Sequence, residues 1–285
     1  MVRMKTEKVL SIFQVLTNHE YPLYNKVIFE EYFLNYFAEN NIDVKRTYLP
    51  VLWTNFYIGR NYGNSNMDDL QGYLNGLDRN KKYFTVVQYD DGVLQNIDDL
   101  DLFIFGSGGG GRRSVPDKNL GYPIPLICMP NPNIITGRYK DILCCFVGTI
   151  KDYAIRRKIK MLYSDDFFIQ DKMGYHLFSD IMERSIFSLC PRGYGTTSFR
   201  ICESLQHGSI PVYIYDKSWI PWPDEFDFNE IGILIHENDI ENIKNIISGK
   251  TEDEVSQYRI NGQKVYEEYF SFEGCAKQII KKLRQ

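Results

Sequence analysis

The run from Ile186 to Asp216, IFSLCPRGYGTTSFRICESLQHGSIPVYIYD, constrains the chain more than any other. Ile186–Cys190 is a short apolar run rich in β-formers and reads as a buried strand. Pro191, Gly193 and Gly195 end it, and Thr196, Thr197 and Ser198 supply hydroxyls suited to capping a helix. Phe199, Cys202 and Leu205 then recur at helical spacing, Gly208 is a helix stop, and Ile210–Tyr215 returns as a strand. Strand, glycine-bearing turn, helix and strand in succession place the chain in the α/β class.

The same run carries chemistry. A helix that starts after a Gly-rich turn presents unpaired N–H groups and a partial positive charge, which suits an anion. Arg192 and Arg200 add full charge, and guanidinium geometry matches phosphate. Glu203 cannot bind phosphate but can accept hydrogen bonds from ribose hydroxyls. Arg200, Glu203 and His207 share one helical face, so Arg200 and Glu203 have an alternative reading as a surface pair worth about 0.3 kcal/mol. Arg156, with Arg157 and Lys158, opens the helix after the apolar run Leu143–Val147. Basic residues there oppose the helix dipole, unless helix and arginine jointly hold a phosphate.

The stretch resembles the exostosin-like glycosyltransferases, glycosyltransferase family 47, whose signature runs approximately F-C-L-C-P-R-G-x-G-x-x-S-F-R-x-x-E-A-L-x-x-G-C-I-P-V. It is carried here by Phe187-Ser-Leu-Cys190-Pro-Arg192-Gly, Ser198-Phe-Arg200-Ile-Cys-Glu203 and Gly208-Ser-Ile-Pro211-Val. Upstream, Phe146-Val-Gly148 followed by Arg156 is similar to the family's F-x-G…R element. Downstream, Ile220-Pro221 and Ile235-His-Glu237-Asn-Asp239-Ile are similar to L-P-F…V-x-E-x-D-I. The likeness covers the C-terminal half, with little matched upstream of residue 140. It implies a GT-B arrangement, two Rossmann-like lobes facing across a cleft, and an inverting transfer from a UDP-sugar of the xylose, galactose, arabinose or glucuronic acid class.

The chain has 285 residues, room for two ordinary domains, and 44% hydrophobic with 25% charged residues, the balance of a globular protein. A net charge of −4 gives no reason to expect a nucleic-acid partner. The cysteines at 128, 144, 145, 190, 202 and 275 form no CxxC pair and fall mostly in apolar runs, which predicts buried thiols rather than disulfides or zinc ligands. The N-terminal apolar stretch is too short and polar to span a bilayer, so the expectation is a soluble, cytoplasmic chain without an anchor.

Helical periodicity runs over residues 24–40 and 68–81, with strands expected over 46–57, 83–89, 102–105 and 124–129. Prolines 123, 125, 130 and 132 mark a crossing near 130–140. The expected division is an acceptor-side lobe over 1–137, a nucleotide-sugar lobe over 138–262, and a C-terminal helix over 263–285 that packs back on the first lobe. Residues 252–283 read as helical, interrupted near 270.

Three further motifs are weaker. Gly106-Ser-Gly108-Gly-Gly-Gly111-Arg112-Arg113 satisfies GxGxxG, but no helix follows it, so it is not a dinucleotide site. It reads as a surface turn, or as a mobile loop whose Arg112 or Arg113 meets a diphosphate or an acidic acceptor. Asp99-Leu-Asp101 is a DxD that opens a strand, and a metal role carries little weight because arginines and a helix dipole can neutralise a leaving diphosphate. An inverting transfer needs one general base. Asp90 and Asp91, just after the strand ending at Tyr89, fit best; Asp68 and Asp69 at a helix start are rivals, and turn or capping roles are the plain alternatives.

These readings assign Asp90 or Asp91 as base and Arg156 and Arg200 to the diphosphate, with the backbone of Thr196, Thr197, Ser198 and Phe199. Glu203 takes the ribose, and Gly148, Arg192 and Gly195 line the donor site. No metal or other cofactor is expected beyond the UDP-sugar, and the acceptor is an oligosaccharide or glycoprotein glycan. The alternative is a non-catalytic nucleotide-sugar or glycan-binding partner of the same fold.

Overall fold

The computed structural model describes residues 6–14, 27–135, 137–150 and 153–285. Contacts divide the chain into two units, one of residues 1–129 with 271–285, the other of residues 130–270. Each has its own parallel sheet flanked by helices, so the fold is α/β.

In the first unit, β1 (Thr47–Tyr48), β2 (Tyr83–Val87), β3 (Leu102–Gly106) and β4 (Tyr122–Pro123) lie in that order, all parallel. β2 is buried on both faces, and its sequence is apolar but for Thr85, whose hydroxyl accepts from Trp53 and donates to the Leu49 carbonyl. α1 (Phe29–Glu39) sets Phe29, Phe33 and Phe37 four residues apart on one face, and Phe33 and Phe37 pack on Tyr48 and Phe84. Residues 24–26 of the expected first helix lie outside the described residues. α10 (Phe272–Arg284) joins this unit through Phe272, which meets Phe29 and Tyr32 at ring distances of 5.5 and 4.9 Å.

Two expected strands are corrected. Only Thr47–Tyr48 of the 46–57 run joins the sheet, and Trp53–Gly59 is helix α2. Its first turn is fixed from α1: Glu30 accepts from the Thr54 N–H (3.0 Å) and hydroxyl (2.8 Å) and from the Gln88 N–H (2.6 Å). That long-range cap outweighs the β propensity of the aromatic sequence. The expected strand over 124–129 is buried, but the ladder stops at Pro123. Pro125 has no N–H to continue it. The second expected helix is α3 (Asp68–Asn75), and α4 (Asp117–Leu120) completes the unit's helices.

In the second unit, β5 (Ile142–Val147), β6 (Phe167–Gln170), β7 (Ser185–Pro191), β8 (Ile210–Tyr215) and β9 (Ile233–His236) form a parallel sheet of order β6-β5-β7-β8-β9. Alternate residues of β5 serve opposite faces. Cys144 and Phe146 pack with α5 (Ala154–Ile159), whereas Cys145 and Val147 pack with Phe178, Ile181 and Met182 of α6 (Tyr175–Arg184). α7 (Phe199–Gln206), α8 (Ile243–Ser248) and α9 (Glu252–Val265) complete the unit, and one π-turn, Tyr266–Phe270, ends it where the sequence showed an interruption. All six cysteines are buried and unbridged.

Candidate functional site

From β5 the chain steps to β6 on one side, then returns to β7 on the other. The carboxyl ends of β5 and β7 are therefore the topological switch point, where open α/β sheets leave a crevice. The connections leaving these two strands carry Gly148 and Arg156, and Arg192 through Glu203, respectively.

Two arginines cross this point. Arg156, on α5, donates from Nε to the Arg192 carbonyl at the end of β7 (3.1 Å) and from Nη1 to the Thr149 carbonyl beyond β5 (3.2 Å). Its guanidinium lies 4.7 Å from the Tyr153 ring and 5.7 Å from that of Phe146. Arg200, in the first turn of α7, reaches back to donate from Nη2 to the Val147 carbonyl at 2.6 Å and lies 4.4 Å over the Phe178 ring. A glycine lies beside each guanidinium. A Cβ on Gly148 would come 3.2 Å from the Phe146 ring and 3.6 Å from Arg200 Nη2, and one on Gly193 would sit 3.2 Å from Arg156 Nη2.

Arg200 and Glu203 meet as an i,i+3 pair, Nη1 to Oε2 at 3.0 Å, with side chains only 14 and 15% exposed. Arg200 Nε and Nη1 are buried without a hydrogen-bond acceptor in line, Nη1 having only its ion-pair contact with Glu203. A buried donor without an acceptor costs roughly 1–3 kcal/mol. Ser198 caps α7 by accepting from the Arg200 N–H (3.3 Å). Thr196, Thr197 and Gly195 are buried in the preceding turn, whose Thr196 carbonyl accepts from the Tyr213 hydroxyl at 2.6 Å.

His207, on the same helical face, is buried behind this pair. Its Nδ1 lies 2.7 Å from the Glu203 carbonyl and its Nε2 3.0 Å from Ser179 Oγ, which donates to Glu183 at 3.1 Å. Burial pushes the His207 pKa down, against the pull of the Glu203 carbonyl and nearby carboxylates. The residue links the end of α7 to α6.

Arg192, expected to line the donor site, is held in place by its own neighbours. Its Nη1 grips Asp216 at the end of β8 with contacts of 2.6 and 2.8 Å, and Nη2 donates to the Tyr194 carbonyl at 2.9 Å. Burial raises the Asp216 pKa, but hydrogen bonds from Arg192 and the Lys217 N–H more than offset it, and the net shift is downward. At Arg156 the helix dipole carries little weight. α5 has six residues, so its first and last turns overlap, and the Arg156 charge is met by carbonyl oxygens instead.

In the other unit, Asp90 and Asp91 stand in the turn beyond β2, at the strand's carboxyl end. Asp91 is fully buried: Oδ1 accepts from the N–H groups of Gly111 (2.9 Å) and Arg113 (3.3 Å), and Oδ2 lies 3.7 Å from Arg113 Nε. Asp90 is half-buried, and its carbonyl accepts from the Gly110 N–H at 2.9 Å. The glycine run is thus no exposed surface turn. A Cβ on Gly108 would come within 2.2 Å of Asp90 Cα, so only glycine lets the loop close on that turn. Of the weaker motifs, Asp101 pairs with Arg46 at 2.5 Å and Asp69 with Arg60 at 2.6 Å. No group of three or more metal-ligating side chains occurs among the described residues.

Phe178 and Tyr153 escaped the sequence reading. Nothing local marks either ring, because each guanidinium partner is identified only once β5, α6 and α7 are packed. Gly193 was visible as a turn residue but not as the bed of Arg156.

Residues 109–249 match the exostosin GT47 domain, beginning inside the glycine run and so reaching well upstream of the motifs read from sequence. The exostosin-1 homolog of Caenorhabditis elegans is 30% identical over 110 residues, which are 38% of this chain and 29% of that protein. A protein of Oryza sativa subsp. japonica named as a probable glucuronosyltransferase is 35% identical over 74 residues, 26% of this chain and 17% of its own length. The matched stretch is less than a third of either relative. Among solved structures, TarM is similar with a TM-score of 0.43 and 9% identity, over 75% of this chain and 52% of that one. Among the described residues no helix is long and apolar enough to cross a membrane. Residues 109–249 are thus an exostosin GT47 domain, the domain of the exostosin-like GT47 family.

Proposed function

We propose that the protein is an inverting glycosyltransferase that moves a sugar from a UDP-sugar to a hydroxyl of a glycan. The observation that carries this reading is the pair of guanidinium groups at the β5/β7 switch point, one of them with buried donors that have no acceptor. A diphosphate supplies such acceptors, and its charge suits two arginines and the start of α7. In this reading Arg156 and Arg200 hold the diphosphate with the backbone N–H groups of residues 196–199. Glu203 accepts from the ribose hydroxyls, and Arg192 and Gly148 shape the donor pocket. The sugar is of the pentose, hexose or uronic acid class, and the rice relative's name favours glucuronic acid.

Transfer is a single displacement. A carboxylate takes the proton of the acceptor hydroxyl, whose oxygen bonds to the anomeric carbon. The anomeric carbon–oxygen bond to the diphosphate breaks, and UDP leaves with the electron pair toward the guanidinium groups. Asp90 is the better base, since it is partly exposed whereas Asp91 is fully buried. With arginine charge at the leaving group, the reaction calls for no metal.

The test is a panel of UDP-sugars assayed for donor hydrolysis with and without EDTA, the anomeric configuration of the released sugar being followed by NMR. The expected result is slow, EDTA-insensitive hydrolysis of at least one donor with inversion. Turnover lost on EDTA treatment contradicts metal independence. No turnover of any donor, with UDP still raising Tm, supports a non-catalytic binding partner instead.

A further inference from the structure

Beside the turn that carries Asp90 and Asp91, residues 61–66 read Asn-Tyr-Gly-Asn-Ser-Asn. Three successive residues there are left-handed: Asn61 at φ 51°, Tyr62 at φ 55° and Gly63 at φ 75°. Two adjacent non-glycine residues persist in that region only where their surroundings over-determine it.

The surroundings do so. The Tyr62 carbonyl accepts from the Tyr89 hydroxyl (3.1 Å) and from Arg113 Nη2 (2.8 Å), and Asn64 Oδ1 accepts from the same nitrogen at 2.5 Å. The Gly63 N–H donates to the Tyr57 carbonyl and the Ser65 N–H to that of Arg60, both at 3.0 Å, and Asn64 Nδ2 donates to the Asn61 carbonyl at 2.8 Å. Arg113 also meets Asp91, which ties the loop to the carboxyl end of β2.

The backbone is pinned, yet Tyr62 is 59% exposed. Tyr139 and Tyr163 are more exposed still, but neither has a positive φ. Asn61, Asn64, Ser65 and Asn66 are exposed around Tyr62, and the six residues carry no charge.

We propose that residues 61–66 form a platform for a neutral saccharide chain, with Tyr62 as its stacking residue. The proposal rests on the glycosyltransferase reading and places the acceptor glycan beside Asp90. The chemistry fits the composition. A tyrosine ring is a flat apolar face with little conformational entropy to lose, suited to the C–H face of a sugar ring. Amides and hydroxyls both donate and accept, as sugar hydroxyls do, and the Arg113 guanidinium in contact with them is engaged by the Tyr62 carbonyl, Asn64 and Asp91.

The test uses the full chain, with xylohexaose and cellohexaose as probes in calorimetric titrations and Tyr62→Phe and Tyr62→Gly as variants. At least one hexasaccharide is expected to bind, with Tyr62→Phe within about twofold of the parent and Tyr62→Gly weaker by about tenfold or more. Tyr62→Gly should not lower Tm, because glycine accepts a positive φ without strain. UDP affinity should be unchanged in both variants. Equal saccharide binding by Tyr62→Gly, a loss accompanied by a falling Tm, or no binding of either hexasaccharide by the parent overturns the platform. Saccharide binding that follows this pattern in a chain that fails to bind UDP leaves the platform standing and removes the glycosyltransferase reading.

Discussion

A glycine beside a guanidinium is the local device that recurs at this site, with Gly148 next to Arg200 and Gly193 next to Arg156. Each arginine spends part of its fork on a strand-end carbonyl, which fixes its direction, and rests on an aromatic ring, a contact worth about 0.5–2 kcal/mol. A different residue governs pH behaviour. Glu30 is wholly buried, and desolvation lifts its pKa from 4.5 to about 7, despite hydrogen bonds from Gln88 and Thr54 that pull it down. Because the folded value lies above the unfolded one, its contribution to stability is complete below about pH 4.5 and is lost as pH rises through about 7. The change is on the order of 3 kcal/mol. Urea unfolding across this window should show stability falling as pH rises. Glu30→Gln should flatten that slope, and an unaltered slope in the variant refutes the assignment.

At the scale of elements, α7 depends on its cap. Ser198→Ala removes the acceptor for the Arg200 N–H and should cost about 1 kcal/mol, seen as a lower urea midpoint with unchanged m-value. A midpoint equal to that of the parent would show that the cap contributes nothing. Elements whose causes are local were legible in the sequence. β7, α7 and β8 declare themselves through apolar runs, a capping serine and a stopping glycine within one stretch. Where a distant partner decides, the sequence misleads. Trp53–Gly59 reads as strand because its residues favour β structure, and only Glu30, 24 residues before Thr54, makes it helix. The stretch after Pro123 keeps its burial without a ladder because Pro125 offers no donor. Phe178 carries no mark of its own, since its role exists only where α6 packs beside Arg200. Asp90 and Asp91 were placed correctly beyond β2, whereas the close approach of Gly108, which encloses Asp91's turn, depends on a loop from the next strand.

At the scale of the molecule, each unit has its own sheet and core, and every contact described at the β5/β7 switch point is made within residues 130–270. Binding of a nucleoside diphosphate at this switch point can therefore be tested alone, without knowledge of sugar or acceptor. The direct measurement is calorimetric titration of UDP into the parent chain, Arg200→Ala and Glu203→Ala, with Tm recorded for each. Saturable binding is expected for the parent, with a loss of about tenfold or more in each variant, the scale of one charge-assisted hydrogen bond. UDP affinity unchanged in both variants, or no binding by the parent, would contradict a diphosphate site there.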